Sequence, residues 1–378
     1  MDLNTTMVSE DCSASYNITE ETVSEWLFTP ADTIIITVII PIILGLGVIT
    51  NATFLFVIYR VPKLRSVTSI YLAHLALADL LYLIMSAFYH IWRYASSPMV
   101  PHTPFMGLAG CGCFITVTNT GYFASIALVT SMSFERYLAL CHPMKHLKIR
   151  GRGLTLTSLA ICWLVGFAFA AMTVLSSATL YTDCLQWPDE DEYLGFPLIR
   201  SYCGPVQPWV PYYTLPLVNV PWFIAMVANI YMYVCIVTTL NKRGTKIQDP
   251  KAVQIRNQVA KMLIVNGVVF FICQTPYRVI SLTAWVSLLA QIQDPLSTAL
   301  GNAGVWISSL PQLTNTFINP LIYGMMSGQY RTALIQVFQC QPKARLMRQQ
   351  ATTTRAPKTD NSASQITLTT SETFETRL

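Results

Sequence analysis

Residues 67–92 read VTSIYLAHLALADLLYLIMSAFYHIW, a run that contains no Lys or Arg and one acid, Asp79. The hydrocarbon core of a bilayer is roughly 30 Å thick, so a helix needs about 20 mostly apolar residues to cross it. This run is long enough. Working outward from it, comparable runs cover about residues 33–59, 108–140, 155–177, 211–240, 257–287 and 298–323, which makes seven in all. Lipid offers no partner for free backbone N–H and C=O groups, and the runs are too long and too uniformly apolar for barrel strands. An all-α membrane protein built as a seven-helix bundle is therefore expected. Composition agrees: of 378 residues, 53% are hydrophobic and 11% charged, too few polar side chains to clothe a soluble globule.

Orientation follows from the cations. Of the 24 Lys and Arg residues, only Arg93, Arg200 and Arg278 fall on the side that holds the N-terminus. The others cluster at Arg60, Lys63 and Arg65, at Lys145 to Arg152, at Lys242 to Arg256 and in the C-terminal tail. By the positive-inside rule that side is cytoplasmic and the N-terminus extracellular. The net charge of +5 is thus a topology signal and gives no reason to expect nucleic-acid binding.

Residues 1–32 form an extracellular tail without Lys or Arg, carrying glycosylation sequons at Asn4 and Asn17. A third match at Asn51 lies inside the first span and is set aside. With no basic stretch ahead of a short apolar run, the first span is expected to act as its own signal. Residues 33–326 form the transmembrane domain, with no internal repeat and one long loop at about 178–210. Tyr330, Leu334, Val337 and Phe338 recur at helical spacing, so 327–340 suits an amphipathic helix on the inner membrane surface, with Cys340 either acylated or a plain free thiol. Residues 341–378, rich in Thr and Ser, are expected to be a disordered cytoplasmic tail.

Polar groups at membrane depth are expensive, so each is a functional hypothesis. Asp79 ends the run Leu75-Ala76-Leu77-Ala78-Asp79. Further along stand Asn51 in the first span, Cys111 opening the third, Glu135-Arg136-Tyr137 closing it, Trp163 in the fourth and Pro221 in the fifth. The series ends with Phe271-Ile272-Cys273-Gln274-Thr275-Pro276 in the sixth and Asn319-Pro320-Leu321-Ile322-Tyr323 in the seventh. In this order, each on its own span, they closely resemble the rhodopsin-like G-protein-coupled receptors over about 300 residues. Within that family Gln258 to Leu263, Pro276-Tyr277-Arg278, Cys203-Gly204 and Met325-Met326-Ser327 are similar to thyrotropin-releasing-hormone receptors. Gln274 is shared with FMRFamide-type invertebrate receptors.

The resemblance implies a plasma-membrane neuropeptide receptor, not an enzyme, that couples to a heterotrimeric G protein through movement of the sixth helix about Pro276. It implies a sodium site in which Asn51, Ser125, Asn315 and Asn319 converge on Asp79, or else a protonated Asp79 in a polar network without an ion; no other cofactor is expected. Glu135 neutralises Arg136 at rest, and Glu135, Arg136, Tyr137, Met144 and Tyr323 are the G-protein-coupling positions; Met144 either docks in a G-protein pocket or dips into lipid. Four departures stand out. Arg256 replaces an acid that restrains Arg136 in many relatives, Gln274 replaces Trp, and Asn229 replaces Tyr, while Pro221, Ile126 and Phe270 keep the family's packing cluster. Fourth, Asn119, Phe123 and Ser309 replace ligand contacts of the hormone receptors.

Outside the cell, disulfides are the first reading of cysteine. The family bridge would join Cys111 to the second external loop at Cys184 or Cys203, with Cys203 preferred because it lies just before the fifth span. Cys184 could then pair with Cys12, leaving Cys113 as a packed thiol. Thr118 stands where amine receptors hold an Asp and Leu313 where opsins hold a Lys, which weakens both of those ligand classes. The ligand-binding candidates are Thr118, Asn119, Tyr122, Tyr277, Arg278 and Ser309. Arg278 is expected to be the one cation facing the pocket, gripping a ligand carboxylate or amide carbonyl, or else pairing with the external loop. Asp183, Asp189, Glu190, Asp191 and Glu192 in the long loop would steer a cationic peptide. At the other end, Thr/Ser clusters at 352–354 and 367–373 suit phosphorylation and arrestin, and Glu375-Thr376-Arg377-Leu378 suits a PDZ groove. The alternatives are a receptor for a non-peptide ligand and a multi-span transporter. Transporters typically show inverted repeats, and intramembrane hydrolases need a nucleophile and base or paired acids; neither pattern is visible.

Overall fold

A computed structural model of the chain describes residues 12–100, 102–103, 107–149, 151–243 and 250–338. Seven long helices run in order: α1 (Pro30–Arg60), α2 (Val67–Ser96), α3 (Gly107–Cys141), α4 (Arg152–Thr173), α5 (Val210–Arg243), α6 (Pro250–Ala290) and α7 (Ala303–Met326). The first six are long and apolar enough to cross a membrane. α7 is less apolar because its inward face carries Ser308, Gln312, Asn315, Thr316 and Asn319, all buried. It completes the bundle as the seventh. A shorter helix, α8 (Gly328–Phe338), follows and buries Tyr330 and Ala333, with Tyr330 packing on Phe54 of α1. Asn4, Cys340 and the segment 341–378 lie outside the described residues.

Local sequence sets the helix ends. Thr29 and Asp32 form a reciprocal capping box in front of α1, with Pro30 at its first position, where a missing N–H costs nothing. The Ser66 hydroxyl accepts from the Ser69 N–H and so caps α2. Pro221, Pro276 and Pro320 sit inside helices, where each removes one backbone hydrogen bond and creates a bend. Neighbouring helices can satisfy the groups this frees.

The burial pattern is that of a bundle in lipid. Large apolar side chains such as Ile49, Phe167, Ile224 and Val227 point outward, while Asn51, Asp79, Asn229, Asn266 and Asn319 are buried. Lipid is as apolar as Leu, so the helices gain cohesion from close approach and interhelical hydrogen bonds. Small residues permit that approach. A Cβ on Gly166 of α4 would lie 2.8 Å from the backbone N of Ala124 in α3, and one on Gly121 of α3 would lie 2.9 Å from the Ala78 carbonyl in α2.

On the N-terminal side the chain adds a three-stranded sheet to the all-α frame. β1 (Ala14–Asn17) pairs parallel with β2 (Thr179–Gln186), which pairs antiparallel with β3 (Ile199–Gly204). Disulfides Cys12–Cys184 and Cys111–Cys203 tie this sheet to itself and to α3. The preferred pairing of Cys203 is the one found. Asp183 and Arg200 face each other across the β2–β3 register and form a buried ion pair of 2.6 Å. The Arg200 guanidinium also lies over the rings of Tyr202, Trp26 and Tyr16.

Two expectations need correcting here. Asp183 is buried and neutralised by Arg200, so it cannot steer a ligand; Asp189, Glu190, Asp191 and Glu192 remain exposed. A hydrogen bond shared with Glu20 raises the Glu190 carboxyl above its ordinary range. Cys113 is a free thiol but lies exposed on the outer surface of α3 rather than packed.

The α3–α4 crossing should tolerate no branch at Gly166. Gly166→Val forces the helices apart, and overpacking of this kind costs about 1–3 kcal/mol. Thermal unfolding of the purified protein in detergent should show a lower midpoint; an unchanged midpoint would mean that the helices do not meet there.

Candidate functional site

On the N-terminal side a cavity of about 430 Å³ opens between α2, α3, α6 and α7, under a rim that includes Thr103 and Cys203. Five of the six expected ligand positions line it: Thr118, Asn119, Tyr122, Tyr277 and Ser309. The Thr118 hydroxyl is turned back onto the Phe114 carbonyl at 2.9 Å, and the Asn119 amide donates to the Thr173 hydroxyl of α4 at 2.8 Å. Tyr122 leaves its buried hydroxyl without a protein partner.

Arg278 is the exception. Only 1% of its surface is exposed, and it does not line the cavity. Its Nη1 donates to the Val218 carbonyl of α5 at 2.7 Å, and its guanidinium lies 5.1 Å from the Tyr122 ring, 5.0 Å from Tyr277 and 5.7 Å from Trp222. The rings that wall the cavity stand between the ligand space and this charge. The cation that does line the cavity is Arg93. Sequence reasoning missed it, together with Tyr82, Ser86 and Tyr89. Their spacing of four, three and four residues marks one helical stripe on α2, and that signal was present in the sequence.

At the floor of the cavity three side chains on three helices form a relay. The Tyr82 hydroxyl of α2 donates to Gln312 Oε1 of α7 at 2.7 Å, and Gln312 Nε2 donates to Gln274 Oε1 of α6 at 2.8 Å. Gln274 is 3% exposed and stands two residues before Pro276 within α6. Asn229 donates to the Thr130 hydroxyl at 3.1 Å and so ties α5 to α3.

Deeper in the bundle Asp79 is buried to 2% exposure. Ser125 of α3 donates to its Oδ1 at 3.1 Å and Asn319 of α7 to its Oδ2 at 2.7 Å. Asn51 does not reach the carboxylate. Its amide donates to the backbone carbonyls of Gly47 and Thr316, at 2.8 and 2.9 Å. Asn315 makes no hydrogen bond to Asp79 either, although it is buried one turn before Asn319. The side-chain carbonyl oxygens of Asn51, Asn315 and Asn319 are all buried without a protein partner.

On the opposite side, Arg136 Nε lies 2.8 Å from Glu135 Oε2, and Arg136 Nη2 donates to the Thr68 hydroxyl of α2. Glu135 Oε1 also meets His146 Nε2 at 3.2 Å. Arg136 borders a second cavity of about 450 Å³ together with Tyr323, Met262 and Tyr330. Tyr137 is bound to His142 at 3.0 Å. Met144, 71% exposed, stands free on the short helix that follows α3. α6 is held against its neighbours in two places. The Tyr233 ring of α5 lies against Gly267, where a Cβ would overlap it, with the Ser133 hydroxyl donating to the Tyr233 oxygen at 2.9 Å. Gln258 donates to the Met326 carbonyl of α7.

Comparison with known proteins gives one family. Residues 50–323 match the model of the 7 transmembrane receptor (rhodopsin family). Apelin receptor B of Danio rerio is 25% identical over 306 residues, 79% of this chain and 81% of that protein. The thyrotropin-releasing hormone receptor of Gallus gallus is 25% identical over 349 residues, 84% of this chain and 82% of that protein. Neuromedin-U receptor 2 of Mus musculus is 28% identical over 313 residues, 80% of this chain and 74% of that protein.

The relay makes a direct demand on stability. Gln312→Leu leaves the Tyr82 hydroxyl without its acceptor and Gln274 without its donor, and unsatisfied buried polar groups cost about 1–3 kcal/mol. The thermal midpoint should fall in the variant; if it held, the three side chains would not be joined.

Proposed function

The chain belongs to the rhodopsin family of seven-transmembrane receptors, and from that premise we propose that it binds an extracellular peptide and passes the signal to a heterotrimeric G protein. In this reading the sheet and the N-terminus face outward at the plasma membrane. The observation that carries the proposal is the vertical alignment of three features in one bundle: an aromatic cavity, the carboxylate of Asp79, and the Glu135–Arg136 pair beside a second cavity. Exposed acids at 189–192, in the turn between β2 and β3, favour approach of a cationic peptide.

A ligand that bonds to Tyr82 or Gln312 competes with the relay and releases Gln274. α6 then swings about its Pro276 bend, the Tyr233–Gly267 and Gln258–Met326 contacts part, and the far side opens. Arg136, freed from Glu135 and Thr68, meets the entering segment of the G protein, with Tyr137, Met144 and Tyr323 around it. Since Gln274 takes the place of an indole, the trigger is an exchange of hydrogen bonds rather than the turning of a ring. Arg278 has a mechanical role here: it holds α6 to α5 through Val218, so that the two helices move together.

The three orphaned amide oxygens and the Asp79 carboxylate are hard oxygen donors, a set suited to a sodium ion. Asp79, Ser125, Asn315 and Asn319 would hold it, with Asn51 behind them. Bound there, sodium would neutralise the carboxylate and favour the closed bundle, because it draws α2, α3 and α7 together.

On the far side, α8 is an amphipathic helix resting on the membrane, with Cys340 beyond it available for acylation. Asn17, exposed on β1, is a site for sugar, as is Asn4. The tail would recruit arrestin when phosphorylated and could reach a PDZ domain at its end.

Two outcomes follow. Cells expressing the chain should give a calcium or cyclic-nucleotide response to a member of a neuropeptide library; silence to peptides with a response to a lipid or amine would overturn the ligand class. Replacing N-methylglucamine chloride by sodium chloride should raise the thermal midpoint of the wild-type protein and leave Asp79→Asn unmoved; an equal rise in both would remove the ion from this site.

A further inference from the structure

Among the described residues Arg93 is the only Lys or Arg in the wall of the N-terminal-side cavity, and no Asp or Glu lines that wall. Its guanidinium stacks over the Tyr89 ring at 5.0 Å, and its Nε donates to the His102 carbonyl at 3.2 Å. These two contacts fix the plane of the group and use its inner edge. The Nη groups make no hydrogen bond or ion pair among the described residues, and the side chain is half-buried.

The neighbouring acid forms no ion pair with it. Asp32 shares a small adjoining cavity with Arg93. One Asp32 oxygen is taken by the backbone N–H and hydroxyl of Thr29, at 2.8 and 2.7 Å, and the other by the Trp306 indole N–H at 2.5 Å. Asp32 is thus committed to capping α1 and joining it to α7. His90, also in the cavity wall, is packed against Trp306 and offers no negative charge.

We propose that Arg93 is the anion anchor of this cavity: the ligand carries a carboxylate, and that carboxylate docks on α2 rather than against Arg278 on α6. The inference rests on the cavity being the ligand site and names the chemistry of what enters it. A planar guanidinium pre-set by a stacked ring presents two parallel N–H donors, which match a carboxylate in bidentate fashion. The same stack places aromatic surface from Tyr89 and Phe114 beside it, since those two rings lie 5.5 Å apart in a stacked pair. Such surroundings accept the side chain next to a peptide's C-terminal carboxylate, or the stem of an acidic residue. Within membrane reach a bare guanidinium is costly, so the ligand's charge returns what the protein leaves unpaired.

The test uses the full-length protein purified in detergent and two probes of equal shape, N-acetylphenylalanine and N-acetylphenylalaninamide, with binding followed by saturation-transfer NMR. The acid should bind about tenfold tighter than the amide, the advantage of a charge-assisted hydrogen bond. In Arg93→Gln the two probes should bind alike. In Arg93→Lys, which keeps the charge without the fork, part of the preference should return, and an unfolding midpoint near wild type would show that the fold is intact. The proposal is overturned if wild-type protein shows no preference for the acid, or if the preference survives in Arg93→Gln. Arg93-dependent preference in a protein that answers no peptide in cells would sustain the anchor and sink the peptide reading instead.

Discussion

Lipid gives a polar group nothing to bond to, and the interior of this protein is organised by that fact. A carboxylate placed at Asp79 must be met by donors from other helices, and it is met by Ser125 on α3 and Asn319 on α7. The bond to Asn319 fixes the rotation of α7 against α2, which turns Gln312, two turns nearer the N-terminal side, toward Tyr82 and Gln274. Asn51, bonded to the backbone of Thr316, fixes α1 against the same helix. α7 thereby becomes the member on which the polar contacts of α1, α2 and α6 converge, with α3 joined to it through Asp79.

That convergence explains how the two cavities can communicate. The floor of one is a hydrogen-bonded relay and the roof of the other is the Arg136 region, with the Asp79 group between them. Apart from the Glu135–Arg136 pair within α3, the contacts in the series are hydrogen bonds between different helices, and each can be exchanged for another of similar strength. The apolar cluster of Ile126, Phe270, Trp222 and their neighbours supplies cohesion, and in the proposed function the polar series would supply the switch.

Much of this was legible in the sequence because membrane depth is a strong filter. Seven apolar runs gave the spans, and the few polar residues inside them pointed to Asp79, Arg136 and Asn319 before any geometry was known. α1 begins three residues ahead of its apolar run, since capping by Thr29 operates in the interface and leaves no mark on hydropathy, whereas α2, capped by Ser66, begins at Val67 as its run does. The sheet was not foreseen. β1 has four residues and pairs with a strand some 170 positions away, a contact that only the Cys12–Cys184 bridge hinted at. Arg278 and Arg93 could not be ranked from sequence either. Both are cations near the cavity, and which one is covered by rings depends on how α6 is rotated against α5, a matter of a few tens of degrees that no motif encodes. The positions of Asn4, Cys340 and the 341–378 tail remain sequence expectations.

The frame on which all of this stands is a chain that crosses seven times, so that its two ends face opposite sides of the membrane. Epitopes fused before Met1 and after Leu378 and probed with antibody on whole cells test it most directly. The N-terminal epitope should stain on intact cells and the C-terminal one only after permeabilisation. Staining of both on intact cells, or of neither until the membrane is opened, would contradict an odd number of crossings and with it the path from the outer cavity through Asp79 to Arg136.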